Sequence, residues 1–69
     1  MSLKREKVLE KVLEILKQAK IPVSVDYVAK NVGVGWGTAR GFLFELALQG
    51  EIIAEKTTKS WVFRLPQKT

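Results

Sequence analysis

Residues 32–52 read VGVGWGTARGFLFELALQGEI, and this stretch decides the fold. Gly33 stands between Val32 and Val34 at the close of one helical pattern, where a tight turn needs the positive φ that glycine tolerates. A helix is expected over about 37–49, with Ala39, Leu43 and Leu46 on its inward face, Phe42 beside them, and Gly50 where a helix-ending glycine belongs. Beyond Gly50 the apolar period drops from about 3.6 to 2. Glu51–Thr57 and Ser60–Leu65 therefore read as two strands around the polar Thr57, Thr58 and Lys59. Trp61, Phe63 and Leu65 share one face of the second strand, and Val62 and Arg64 share the other. Pro66 and the polar tail stop the pairing.

Working back from Val32, a short helix is expected over about 25–31, with Val25, Val28 and Ala29 on one side. Ser24 suits its N-cap, and Asp26 suits the positive end of the helix dipole. Ile21 and Val23 flank Pro22 as a short extended piece, because proline pushes the residue before it out of the helical region. Ahead of this lies a longer helix, about 3–19. Val8, Val12, Ile15 and Ala19 form one apolar row on it, and Leu9, Leu13 and Leu16 form another. Together the rows cover about 160° of arc, wider than the ~100° stripe of a simple surface helix. One row serves the core, and the row of Leu9, Leu13 and Leu16 is left for a second copy, so a homodimer is expected. Glu6, Glu10 and Glu14 lie beside Lys7, Lys11 and Lys17 at spacings that allow pairs such as Glu14–Lys17.

With 69 residues and 7.8 kDa, the chain has room for one small domain, with a core over about 5–65 and a polar tail over 66–69. It has no cysteine and no histidine. That excludes the common zinc arrangements, the cysteine- and histidine-based nucleophiles and the usual neutral-pH acid–base residue. The seven acids form no Asp-rich loop, so neither a metal nor any other cofactor is implied, and an enzyme is not expected. A net charge of +5 and a pI near 9.8 lean towards a polyanionic partner. No apolar run approaches a membrane span, and MSLKREKVLE lacks the apolar core of a signal peptide. The expectation is a soluble α+β protein inside the cell, cytoplasmic or associated with the nucleoid, with no membrane partner.

The order helix, helix, tight turn, helix, hairpin, together with VGVGWGTARGFLFELALQGEI, resembles the winged helix-turn-helix family of DNA-binding domains. Val32–Gly33–Val34 looks like the family's turn. Thr38, Ala39, Leu43, Leu46, Gly50 and Ile52 match the pattern that seats the recognition helix and leads into the wing. The resemblance implies a three-helix domain with a two-stranded wing, a further short strand near Ile21–Val23, and double-stranded DNA as partner. It assigns Trp36, Gly37, Thr38, Arg40, Gly41 and Phe44 to the helix face at the major groove, and Lys56, Thr57, Thr58 and Lys59 to the wing. Two aromatics, two glycines and one Arg on that helix face leave little forked chemistry for reading bases, so modest sequence specificity is expected.

Among these residues Arg40 is the candidate for a base or phosphate contact. Trp36 can stack on a sugar or base, or cap the edge of the core. Phe44 offers either an outward contact or a wedge against the wing. Gly37 and Gly41 each cost about 1 kcal/mol of helix stability against Ala, which either reflects a close backbone approach to a phosphate or partner or is simply tolerated. Tyr27 can donate to a phosphate, and the acid Glu45 is expected to face away from DNA. Two other classes remain in view. One is RNA or ribosome binding, because the stretch from Thr38 to Ile52 is also similar to a small-subunit ribosomal protein of the archaeal and eukaryotic type. The other is a protein-interaction winged helix that docks through Trp36 and Phe44.

Overall fold

Val12 and Leu16 lie one helical turn apart, and both are buried in the core. The computed structural model describes residues 2–66. Its first helix, α1, spans Ser2–Gln18 and packs across a second, α2, at Val25–Val32. The wide apolar arc of α1 is one stripe rather than two. Val12 and Leu16 form its buried centre, while Val8 and Ile15 on one flank and Leu9 and Leu13 on the other are half-buried against the same core. Of the row expected to pair two copies, Leu16 is committed to the interior, and Leu9 and Leu13 remain partly exposed. The Glu14–Lys17 pair that the spacing allows is not formed. Glu14 instead accepts a hydrogen bond from the Gln18 amide at 3.0 Å.

After Pro22 the chain makes a two-residue strand, β1, at Val23–Ser24. Ser24 then caps α2: its backbone is extended (φ −88°, ψ 167°), and its Oγ accepts from the Tyr27 amide at 3.2 Å. Asp26 in the first turn pairs with Lys30 one turn on, 3.3 Å away and in solvent. Gly33 ends α2 at φ +88°, and the amides of Gly33 and Val34 both donate to the Ala29 carbonyl, at 2.9 and 3.1 Å.

The third helix, α3, spans Trp36–Leu48, one residue earlier at each end than expected. Gly50 (φ +80°) closes it with two crossed bonds, Gly50 N–H to the Ala47 carbonyl at 3.1 Å and Glu51 N–H to the Leu46 carbonyl at 2.9 Å. Because this motif uses Glu51 and Ile52 turns into the core, β2 starts late, at Ile53, and runs to Lys56, while Thr57 and Ser60 are taken up by the turn and β3 is Trp61–Arg64.

The three strands form one antiparallel sheet in the order β1-β3-β2. The extra strand expected near Ile21–Val23 is therefore present, shifted to Val23–Ser24, and it makes β3 central. Phe63 pairs with Val23 on one side and Ala54 on the other, and is completely buried. The opposite sheet face carries Val62 and Arg64, and Arg64 is held by Glu55 at 3.2 Å. Phe63, Leu43, Val12 and Val28 are the largest fully buried side chains, so the sheet and all three helices share one interior. Truncating Phe63 to Ala would cost about 3–5 kcal/mol, comparable with the whole stability of a domain this small. The architecture is the expected α+β arrangement of three helices with a small antiparallel sheet. Among the described residues, no helix is long and apolar enough to cross a membrane.

Candidate nucleic-acid interface

Ala39, Leu43 and Leu46 turn one side of α3 into the core. At about 100° per residue the opposite crest falls on Gly37, Gly41 and Leu48. A Cβ built on Gly37 or Gly41 would meet nothing within 4 Å. Nothing inside the molecule therefore asks for glycine there, and the crest is bare backbone over its first two turns. Leu48, 89% exposed, stands at the far end of the same crest, and Trp36, 55% exposed, stands at the start of the helix. Thr38 and Arg40 are exposed as well.

The flank of α3 nearest the hairpin is built from rings and cations. The Arg40 guanidinium carbon lies 4.8 Å from the centre of the Phe44 ring. Phe44 in turn stands edge-on to Trp61 at 5.3 Å and to Phe63 at 5.2 Å. Lys56 completes the series, its Nζ 5.8 Å from the Trp61 ring centre. Phe44 is thus a half-buried wedge between helix and wing, not a free outward contact, and it supports Arg40 from beneath. A cation over a ring gains about 0.5–1 kcal/mol at an exposed site, enough to bias the Arg40 rotamer without fixing it.

On the other flank Glu45 forms an ion pair with Arg5 of α1, and the Arg5 guanidinium carbon also lies 5.3 Å from the Phe42 ring centre. The one acid of α3 is therefore turned from the crest and balanced by a cation.

Residues 57–60 form the hairpin tip. Thr57 closes it three times with Ser60: its amide donates to the Ser60 carbonyl at 2.7 Å, its hydroxyl donates to the same carbonyl at 2.7 Å, and Ser60 N–H donates back to that hydroxyl at 3.0 Å. The Thr57 hydroxyl is thus built into the loop instead of being offered outward. All four tip residues are exposed, and Thr58 and Lys59 are the two between the Thr57–Ser60 bonds. Arg40, Lys56 and Lys59 have no ion-pair partner among the described residues, whereas both nearby acids do: Glu45 has Arg5 and Glu55 has Arg64. Arg40 and Lys56 thus flank the ring series between α3 and the hairpin, and Lys59 stands exposed at the hairpin tip.

Sequence reading named the members of this surface but missed its supports. Arg5 carries no local signal for this role, because its partner Glu45 lies 40 residues away. Tyr27 lines a hollow with Ile21 and Val62, a hollow to which no residue of α3 or of the hairpin tip contributes.

No protein-family model matches the chain, and no curated protein matches it. A solved structure of human N-acetylserotonin methyltransferase in complex with SAM is similar in fold, with a TM-score of 0.78 over 96% of this chain at 18% sequence identity. The chain spans 21% of the length of that methyltransferase, and at this identity the likeness is one of architecture alone.

Proposed function

We propose that this chain is a winged helix-turn-helix protein that binds double-stranded DNA, as a small transcriptional regulator, with the crest of α3 against the major groove and the hairpin tip on the phosphates. The observation that carries this reading is the crest itself. Gly37 and Gly41 have no internal role, and the cations beside them are unpaired while the neighbouring acids are neutralised. Two glycines let the helix backbone approach a groove more closely than any side chain would allow. Arg40, leaning on Phe44, is the one forked side chain on the outward side of α3. A bidentate contact from it would supply about 1–3 kcal/mol of base discrimination. Lys56, Lys59 and Thr58 meet phosphate, which sets register without reading sequence.

The reading assigns the chain no reaction and no cofactor. Pairing of two copies through α1 would use the exposed parts of Leu9 and Leu13 alone, since Leu16 is buried. A second reading, a protein-docking helix, is favoured by Leu48 and Trp36, two large apolar side chains left open on α3.

Substitution separates the two. After selection of a preferred duplex from a random pool, Arg40→Ala should lower affinity for that site more than for random duplex. Lys59→Ala should weaken both about equally. If Arg40→Ala binds DNA like the parent while Trp36→Ala or Leu48→Ser abolishes capture of a protein, the DNA reading is wrong.

A further inference from the structure

Away from α3, the corner where α1 passes into β1 carries two open hollows that share Ala19, Lys20, Ile21 and Pro22. One, of about 480 Å³, has Tyr27 and Val62 on its far wall. The other, of about 360 Å³, has Lys17 and Arg64 at its rim. Ile21 is the ridge between them and is 74% exposed, while Tyr27 is 48% exposed. No acid lines either hollow. Arg64 is balanced by Glu55, but Lys17 and Lys20 have no ion-pair partner among the described residues. Neither α3 nor the hairpin tip contributes a residue, so the corner and the proposed DNA face are separate surfaces.

We propose that this corner docks a short acidic segment of another protein, one that carries an apolar side chain next to its carboxylates. An aliphatic or aromatic group fills the hollow of Ile21, Tyr27 and Val62, and the carboxylates meet Lys17 and Lys20. Phosphate would satisfy the lysines but gain nothing from covering Ile21, Pro22 or the half-buried Val62. A second copy of this chain is a poor occupant. It brings a further net charge of +5, and the acids of its α1 alternate with lysines. A foreign acidic segment matches both the sign of the charge and the apolar ridge.

The test is selection of a random dodecapeptide display library on the full 69-residue chain. Enriched peptides should carry an excess of Asp and Glu around an aromatic or aliphatic residue. Their capture should fall at least about tenfold, some 1.4 kcal/mol, on Lys20→Glu/Ile21→Ser. Both positions are exposed, so this variant should melt with the parent and keep its duplex affinity. Lys17→Glu/Lys20→Glu leaves the apolar hollow intact and tests charge alone, with the same loss expected. The proposal is overturned by no enrichment, by peptides without acidic excess, or by equal capture on either variant. Competition of the peptide by duplex DNA, with loss on Arg40→Ala, would also overturn it, since the peptide would then sit on the α3 face as a phosphate mimic.

Discussion

Replacing Phe44 with Leu removes the ring that joins α3 to the hairpin while keeping an apolar side chain of similar bulk. Two edge-to-face contacts are lost, to Trp61 at 5.3 Å and to Phe63 at 5.2 Å, along with the seat of Arg40 at 4.8 Å. Each aromatic pair contributes about 0.5–1.5 kcal/mol beyond area burial, and the cation adds about 0.5–1 kcal/mol. Leucine recovers part of this through dispersion, so the net loss is about 2 kcal/mol. A domain of this size holds only about 3–10 kcal/mol in all. At about 4–8 °C per kcal/mol, the melting temperature should fall by roughly 8–16 °C in a circular-dichroism melt. In a double-mutant cycle with Arg40→Ala, about 0.5–1 kcal/mol should appear as coupling. A Phe44→Leu protein that melts within 2 °C of the parent (about half a kcal/mol or less) would show that Phe44 does not hold the wing to the helix.

Gly37→Ala and Gly41→Ala should each stabilise the domain by up to about 1 kcal/mol, because the new methyl meets nothing, yet weaken duplex binding several-fold by standing the backbone off the groove. Unchanged affinity in isothermal titration would remove the close-approach argument. Gly50→Ala should do the reverse, losing about 1–2 kcal/mol in a urea melt because its φ of +80° strains any side chain, and a neutral result would refute that. In sedimentation at micromolar concentration, pairing through Leu9 and Leu13 gives twice the monomer mass, and a clean monomer both free and on DNA rules it out.

The order of elements was legible because its punctuation is local. Gly33 and Gly50 mark turns that need positive φ, Ser24 marks a cap, and the change of period after Gly50 marks the hairpin. What was not legible is set by partners distant in sequence. The short strand before α2 was legible only as an extended piece around Pro22, and its bounds, Val23–Ser24, follow from its pairing with β3. The two rows on α1 merge into one stripe because the core wraps around the helix, which spacing along the helix cannot reveal. Phe44 sits on a flank whose fate depends on how the hairpin docks, and Arg5 meets Glu45 across the fold. The candidate cations were found by charge and position alone. Their freedom from acidic partners, which gives the surface its sign, emerged only from the structure.

The central claim is that the chain binds duplex DNA with Lys56 and Lys59 on the phosphates and Arg40 in the major groove. Titration of a random duplex with the intact chain over a series of salt concentrations measures this most directly. With two to four phosphates neutralised per chain, log K should fall against log salt with a slope of about −2 to −3.5, and Lys59→Ala should reduce the slope by about one. A slope near zero, or one that Lys59→Ala and Arg40→Ala both leave untouched, would contradict the account.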